Sequence, residues 1–593
     1  MNKRTLLTLV VLLTGLTQLY AKSAPTGVEK IINSIDPKLN IGIEVIDLHT
    51  NAVLYQRNAR QAFIPASNMK LFSDAAALMV LGPDYRFNNT ISINGQRIQN
   101  QEFYGDVILH LSGDPSFGQS ELSSLFQSLS KWNIRRIHGD IIIDSALNHV
   151  APYAAGRMKE DLDYAYGAPI APLMLQQNRI LITVNPAGKI GKPAIIEHNA
   201  PYKNLSIVNK VKTRKDGKSC GVAFKMNNNN VLTVSGCILR GQWAIIQNLA
   251  LTNPFLHAQQ SIHAVLQQQN IQLTGKVRMG KAPKNTLLLE QIDSPPIAQL
   301  IIDTMKSSDN LYADALFLHA AAKLQNKMVD WKEAHHSLKH FIHQATGIDM
   351  QQANLTDGSG LSRHDRLTAA QTVELLRFLH QHFALTYEYI AALPVSGRDG
   401  TLEKRLRKPS QRGRVRAKTG TMRGIISLSG FLDTANGHTL AFAIYINNLP
   451  GTPLKVSQRY RYLVDAICHY FLQQTPANAK IITLKSKTKA LRFQGQKSQA
   501  EQGRRRSAQW RKLEIQVKKM AEKEGLTVLF RPRELVIQDS LPSINTVATG
   551  LKPIYARTPF ALVLASQEQL KNAYPFPVLW QQEKTFSFTA GIK

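Results

Sequence analysis

Pro65-Ala66-Ser67-Asn68-Met69-Lys70-Leu71-Phe72 sets a serine and a lysine three residues apart at the head of an Ala/Leu-rich run. Pro65 before the run and Gly82-Pro83 after it predict a helix over 67–81. Residues three apart share a helix face, so the Ser67 hydroxyl and the Lys70 amine point the same way. A serine hydroxyl is a weak nucleophile at neutral pH and needs a neighbouring base, a role a desolvated lysine can fill. A bare S-x-x-K occurs about twice by chance in a chain this long, so its weight depends on the residues further along the chain.

Two more signals stand behind it in order. Ser308-Asp309-Asn310 reads as a turn between helical runs, and Lys418-Thr419-Gly420-Thr421 leads into a strand beginning at Ile425. The Ser308 hydroxyl suits a proton relay between Lys70 and a leaving amine. The Asn310 amide suits holding a substrate amide and orienting Lys70. Lys418 offers positive charge to a substrate carboxylate, with hydroxyls from Thr419 and Thr421 beside it. Gly420 has no side chain, which leaves room for an extended substrate along the strand edge. The backbone N–H groups of Ser67 and Thr421 are the expected oxyanion donors.

Together and in this order the signals match the S-x-x-K, S-D-N, K-T-G set of β-lactamases and penicillin-binding proteins. From about residue 25 to 474 the chain resembles the low-molecular-mass class C penicillin-binding proteins, the D-alanyl-D-alanine carboxypeptidase/endopeptidases. The nucleophile segment resembles that family's, with Met69 where Thr is usual. Asp357-Gly358-Ser359-Gly360-Leu361-Ser362-Arg363 and Leu393-Pro394-Val395-Ser396-Gly397-Arg398-Asp399-Gly400-Thr401-Leu402 resemble its two glycine-rich segments, and Arg416 to Thr421 with Leu428-Ser429-Gly430 its third motif and strand. Asp314 stands where the family tends to have Glu. Ser308 lies 241 residues after Ser67, a gap that resembles the class C insertion and exceeds that of class A β-lactamases.

The resemblance implies an α/β (α+β) serine β-lactamase/transpeptidase-like domain with a β-rich two-domain insertion and a small C-terminal α/β extension. It implies a serine D-alanyl-D-alanine carboxypeptidase with D,D-endopeptidase capacity, acting on peptidoglycan stem peptides through an acyl-enzyme on Ser67. β-Lactam antibiotics are the implied inhibitors, and neither cofactor nor metal is called for. Ser67, Lys70, Ser308, Asn310 and Lys418 are the expected catalytic residues; Thr419, Gly420 and Thr421 are expected to bind substrate. It also picks out Asp161 as the inserted-domain acid that meets the free amine of a diaminopimelate side chain. Asp163 and a plain solvated turn acid are the alternatives there, and Tyr153 and Arg157 stand where Trp-rich sequence is common. The rival readings are a β-lactamase or esterase on the same fold, and a non-catalytic wall-binding scaffold.

Composition bounds the setting. The chain has 593 residues, enough for several domains, is 44% hydrophobic and carries a net charge of +31. That charge points to a polyanionic neighbour. Lys3-Arg4, the apolar stretch 6–16 and Leu19-Tyr20-Ala21 read as a secretory signal over 1–21. Export excludes nucleic acid as the expected partner and implies a periplasmic location. Cys220 and Cys237 flank a predicted hairpin, as a disulfide or as two reduced thiols, and Cys468 lies in an apolar helix. The 17 histidines are scattered without metal-ligand spacing.

Strands are expected at 41–46 and 52–55, then β-rich pieces over 88–283, helices from 296 to about 382, strands at 425–432 and 439–446, and a helix over 459–472. This divides the chain into a first part of the penicillin-binding domain (25–87), inserted β-rich domains (88–283), a second part (284–474) and a basic extension (475–593). From Lys480 onward there are 21 Lys and Arg against 8 Asp and Glu. Arg504-Arg505-Arg506 opens a predicted amphipathic helix with Trp510, Leu513, Val517 and Met520 on one stripe, followed by strands at 528–530 and 534–537. The tail is expected to meet an anionic cell-wall or membrane surface, or to be a solvated extension.

Overall fold

The computed structural model describes residues 26–147, 149–203, 205–216, 220–381, 383–450 and 454–473, with Leu526–Arg531, Glu534–Asp539 and Thr585–Thr589. The expected signal over 1–21 and the predicted helix from Arg504 to Met520 lie outside the described residues. The chain divides into a unit ending at Ala477 and a second beginning at Asn478. In the second unit, the three described strands form an antiparallel sheet with Glu534–Asp539 in the middle.

The first unit is built on a five-stranded antiparallel sheet. Its strands are β1 (Ile41–Asp47), β2 (Val53–Arg57), β3 (Val415–Met422), β4 (Ile425–Asp433) and β5 (Thr439–Ile446), in the order β3-β4-β5-β1-β2. Both faces are covered, so β4 and β5 read as continuous apolar runs. In β5 the alternation of strand side chains separates two cores. Leu440, Phe442, Ile444 and Ile446 pack with α1 (Thr26–Asn33) and a C-terminal helix, Leu454–Gln473, through Val28, Ile32, Leu463, Val464 and Ile467. Ala441, Ala443 and Tyr445 face the helical layer instead.

Three helices of that layer carry the site: α2 (Lys70–Leu81), α3 (Ile297–Ser307) and α4 (Asn310–Gln325). Every residue of α4 from Asn310 to Ala321 is buried, as are Lys70 to Leu78 in α2. A helix apolar around its whole circumference belongs in a protein interior, and the few polar groups on these two therefore need partners.

The insertion holds two further cores. A seven-stranded sheet covered by the helices Gln119–Lys131 and Pro254–Gln268 buries Ile91, Val107, Leu109, Ile141 and Ile143 against Leu122, Phe126, Ile262 and Val265. The first of these helices, whose Leu122, Leu125, Phe126 and Leu129 repeat at helical spacing, interrupts a stretch that local sequence presents as strands around a turn. Two three-stranded sheets, of Arg179–Asn185, Ile195–His198 and Ile245–Ala250 and of Ile207–Arg214, Val222–Met226 and Leu232–Leu239, enclose the other core around Ile180, Ile182, Val211 and Val234. Strand Leu287–Asp293 pairs with Asn88–Gln99, so the inserted sheet reaches Asp293 rather than 283. Cys220 and Cys237 form a disulfide beside the expected hairpin, and Cys468 is free and buried.

Candidate active site

Ser67 sits on a one-turn 3-10 helix, Ala66–Met69, that runs directly into α2. Ala66 holds a φ of +48°, a left-handed conformation that costs a non-glycine residue on the order of 1 kcal/mol. The surroundings hold that turn from both sides. Ser427 Oγ donates to the Pro65 carbonyl at 2.7 Å, and Asn68 Nδ2 donates to Ser429 Oγ at 3.2 Å. A Cβ at Gly420 would come 2.1 Å from Ser427 Oγ and 3.0 Å from the Pro65 oxygen. Gly420 therefore lets β3 lie against the turn that carries Ser67, a steric role distinct from the room for substrate expected of it. Gly360, with φ +80°, closes on the other side: its Cβ would meet the Ala66 oxygen at 1.9 Å.

Lys70 is fully buried. Its Nζ lies 3.2 Å from Ser67 Oγ, 2.6 Å from Asn310 Oδ1 and 2.7 Å from the Ser359 carbonyl. Neutral, a lysine has two N–H donors and one lone pair. Asn310 and Ser359 offer the two shorter contacts, both to pure acceptors, which turns the lone pair toward Ser67. Burial pushes Lys70 down to about 8, while Asp314, Asp74, Asp357 and Asp309 pull it upward. Burial first, and the Lys70 charge second, push Lys418 well below the ordinary lysine range, opposed by Asp74. The two buried lysines thus disfavour being charged together.

Ser308 closes α3 in a left-handed conformation (φ +61°), which carries its hydroxyl toward β3, and Lys418 Nζ donates to Ser308 Oγ at 2.8 Å. Asp309 caps α4 through the Leu311 and Tyr312 N–H groups. Alternation along β3 buries Lys418 and Gly420 and leaves Thr419 part-exposed and Thr421 exposed. β3 is the sheet's edge strand, and the Ala417 N–H donates outward to the Pro394 carbonyl at 3.0 Å. By the two-residue repeat of an antiparallel ladder, the N–H groups of Thr419 and Thr421 face the same open edge. Thr419 Oγ1 meets Thr401 Oγ1 at 2.7 Å.

The structure thus brings eight of the nine expected site residues into one cluster around Ser67, Lys70 and Lys418. Asp161 stands at its margin: its Oδ1 accepts the Tyr166 hydroxyl at 2.9 Å, and the Tyr166 carbonyl accepts Asn310 Nδ2 at 2.7 Å.

Several supporting groups escape a reading of local sequence. Arg157, from the insertion, is buried between Asp314 and Asp357; its Nη2 bonds Asp314 Oδ2 and lies 3.0 Å from Asp357 Oδ2. Asp314 Oδ1 accepts the Gly358 N–H and Asp357 Oδ1 the Gly360 N–H, which fixes the segment whose Ser359 carbonyl holds Lys70. Burial pushes Asp314 up to about 6 against the pull of Arg157. Arg179, also inserted, forks onto Asp309 at 2.6 and 2.9 Å. Asp74, four residues past Lys70 on the same helix, is fully buried with neither carboxylate oxygen bonded among the described residues, and burial pushes it up to about 8. An acid inside an Ala/Leu run was the one available sequence signal for it. Nothing local marked the acids that Arg157 and Arg179 bind, which lie 130 residues or more away.

A sequence profile described as the D-Ala-D-Ala carboxypeptidase 3 (S13) family matches residues 26–464. D-alanyl-D-alanine carboxypeptidase DacB of Haemophilus influenzae is 27% identical over 434 residues, spanning 72% of this chain and 90% of that protein. The D-alanyl-D-alanine carboxypeptidase of an Actinomadura species is 28% identical over 461 residues, 74% of this chain and 83% of that one. The crystal structure of penicillin binding protein 4 from H. influenzae aligns with a TM-score of 0.70 at 25% identity, covering 76% of this chain and 100% of that one. The same protein complexed with a β-lactam aligns at 0.66.

Two outcomes are expected from this geometry. Arg157→Met leaves two buried carboxylates without a countercharge, and should cost about 3–5 kcal/mol of stability. Calorimetry should show a lower melting temperature, and stopped-flow acylation by penicillin should slow as the Ser359 carbonyl loses its support. The second concerns pH. If neutral Lys70 is the base, a pKa near 8 leaves about a tenth of it competent at pH 7, against roughly three in ten thousand at an ordinary lysine value. Acylation should therefore rise with pH through about 8, with the loss on the acid side; a rate flat from pH 6 to 9 would assign the base elsewhere.

Proposed function

Because the chain belongs to the D-Ala-D-Ala carboxypeptidase 3 (S13) family of serine peptidases, we propose that Ser67 is its nucleophile and Lys70 the base that activates it. The observation that supports this most is the neutral-lysine geometry: Lys70 Nζ is 3.2 Å from Ser67 Oγ, with its other contacts satisfied by Asn310 and Ser359. Ser67 Oγ gives its proton to Lys70 and attacks the carbonyl of the penultimate D-alanine of a stem peptide. The oxyanion is held by the N–H groups of Ser67 and Thr421. Lys418, Thr419 and Thr421 take the carboxylate of the terminal D-alanine. That carboxylate brings Lys418 a countercharge, which favours its ammonium form, and a charged Lys418 in turn favours neutral Lys70. Terminal D-alanine leaves with a proton relayed through Ser308, and water resolves the acyl-enzyme by the same base.

The same groups suit hydrolysis of D-alanyl-diaminopimelate cross-links, with Asp161 receiving the free amine of a diaminopimelate side chain that is not itself in the scissile amide. We read 1–21 as the signal that exports the enzyme to the periplasm, and the Cys220–Cys237 disulfide suits an oxidising compartment. Among the described residues no helix is long and apolar enough to cross a membrane.

Intact-protein mass after penicillin should rise by one drug mass, and Ser67→Ala should show no adduct. Mature enzyme incubated with monomeric and cross-linked muropeptides should release D-alanine and separated monomers, identified by mass. An adduct on the alanine variant would move the nucleophile elsewhere, fast release of the opened drug would make the protein a β-lactamase, and an unmodified native chain would leave only a wall-binding scaffold.

The basic extension from Lys480 is proposed to hold the enzyme on an anionic surface, given its excess of cations. Such attachment weakens with salt, since exposed charges are screened beyond about 10 Å at 0.1 M. The full mature chain should sediment with sacculi or anionic vesicles at low salt and be released at high salt. A chain ending near Thr475 should stay soluble while cleaving small substrates at the same rate. Equal, salt-insensitive pelleting of both would remove the electrostatic role.

A further inference from the structure

The loop that joins the second glycine-rich segment to β3 folds a cleft of about 360 Å³ lined by Gly397, Arg398, Glu403, Lys404, Arg407 and Arg412. Four cations share it with one carboxylate. Among the described residues none of these five charged side chains has an ion-pair partner. Nearby, Lys306 pairs with Asp399 and Arg405 with Asp465, whereas Arg414 donates only to the Asp433 carbonyl. The cleft walls thus gather four cations around a single carboxylate with no ion pair among the described residues.

Two glycines give the cleft its shape. At Gly413 (φ +77°) a Cβ would come 2.8 Å from the Arg398 guanidinium, and at Gly397 (φ +63°) it would come 3.0 Å from Arg412 Cγ. Both positions need left-handed backbone, and both let an arginine lie flat on the main chain. Arg412 Nε donates to the Gly397 carbonyl at 3.2 Å, while its terminal nitrogens have no partner among the described residues. Like charges held this close repel one another, and an anion seated among them offsets that repulsion.

The cleft is joined to the site at one definite end. Between Arg398 and Glu403 runs the turn Gly400–Leu402, and its Thr401 hydroxyl touches that of Thr419. Val395 is bridged to Arg416 of β3, and Ser396 N–H donates to the Val415 carbonyl at 2.9 Å. In the reaction proposed above, Thr419 holds the carboxylate of the departing residue. Whatever occupies the cleft therefore lies on the leaving-group side of the scissile bond.

We propose that this cleft is a leaving-group subsite for an anionic peptide. It binds carboxylates of the stem peptide that departs from a cross-linked substrate, and has nothing to bind when the leaving group is a single D-alanine. The inference rests on the assignment of Ser67 and β3 made above. It makes the cleft a determinant of cross-linked over monomeric substrate.

The test compares kcat/KM on a cross-linked muropeptide dimer and a monomeric pentapeptide for three full-length mature proteins: native, Arg398→Glu/Arg407→Glu, and Arg398→Lys/Arg407→Lys. Charge reversal should lower dimer cleavage by about tenfold, chiefly through KM. It should leave monomer cleavage within about twofold, because no monomer atom reaches the cleft. The lysine variant should keep most of the native dimer rate, and about 0.5 M salt should bring native and reversed proteins together. Equal loss on both substrates, unchanged dimer cleavage, or a native enzyme that cuts the monomer but not the dimer would each overturn the proposal. Inorganic phosphate that raises the melting temperature of the native protein, while the reversed variant still cuts the dimer at the native rate, would assign the cleft to a free anion and overturn the peptide assignment. Penicillin acylation read in parallel separates the two levels: its absence in the native protein overturns the Ser67 assignment itself, whereas its presence with unaltered dimer cleavage overturns only the cleft.

Discussion

A lysine amine removed from water has to be held by fixed acceptors, and the site is arranged around that requirement at Lys70. Burial alone would strip the amine of its charge and leave its hydrogens unpaired. Asn310 and the Ser359 carbonyl take two of them, and four carboxylates nearby temper the loss of charge. Two of those acids, Asp314 and Asp357, are fully buried and need a countercharge, which Arg157 supplies. The serine and lysine are thus the visible end of a chain of compensations that runs from the sheet, through α2 and α4, to the inserted domains.

The insertion is consequently more than an appendage. Arg157 fixes the acids behind Ser359, Arg179 fixes the cap of α4, and the Tyr166 carbonyl fixes the amide of Asn310. Each contact acts on a group that touches Lys70 or begins the helix bearing Asn310. Trp331 adds a fourth tie, donating from its indole to the Ala151 carbonyl at 2.8 Å. Buried ion pairs of this kind seldom add net stability over apolar packing, but removing one partner is expensive. Their value here is positional: they hold a carbonyl and an amide where a lysine lone pair must be aimed.

The two lysines divide the electrostatic work by what surrounds them. Lys70 is encircled by acids, while Lys418 has Asp74 and the repulsion of Lys70. A negative charge placed beside β3 would therefore change Lys418 more than Lys70, and the repulsion between the two lysines couples their charge states. Asp74 is fully buried with no hydrogen-bond partner among the described residues, and its charge pulls both lysines upward.

Spacing and residue type alone determined the three motifs, the order in which they come, four of the five strands of the sheet and the helical territory from Pro296 onward, whereas the edge strand Val415–Met422 was read only as leading into the strand at Ile425. Such features are local: a face shared three residues apart, a turn before a strand, an alternation. They also sufficed to identify the family, because three short signals in one order are specific where each alone is not. Tertiary structure decided what holds those residues ready. Arg157, Arg179 and Tyr166 act on groups far away in sequence, and an arginine in a loop has no local pattern that says it will be buried between two acids. Gly420 shows the same limit. Sequence marked it as a residue without a side chain, but only the approach of the Pro65 turn and Ser427 shows what that absence accommodates. The strand Leu287–Asp293 extended the insertion past its expected end because pairing with Asn88–Gln99, rather than anything in its own residues, assigns it to that sheet. Chemistry was legible where it depends on neighbours in the chain, and was hidden where it depends on neighbours in space.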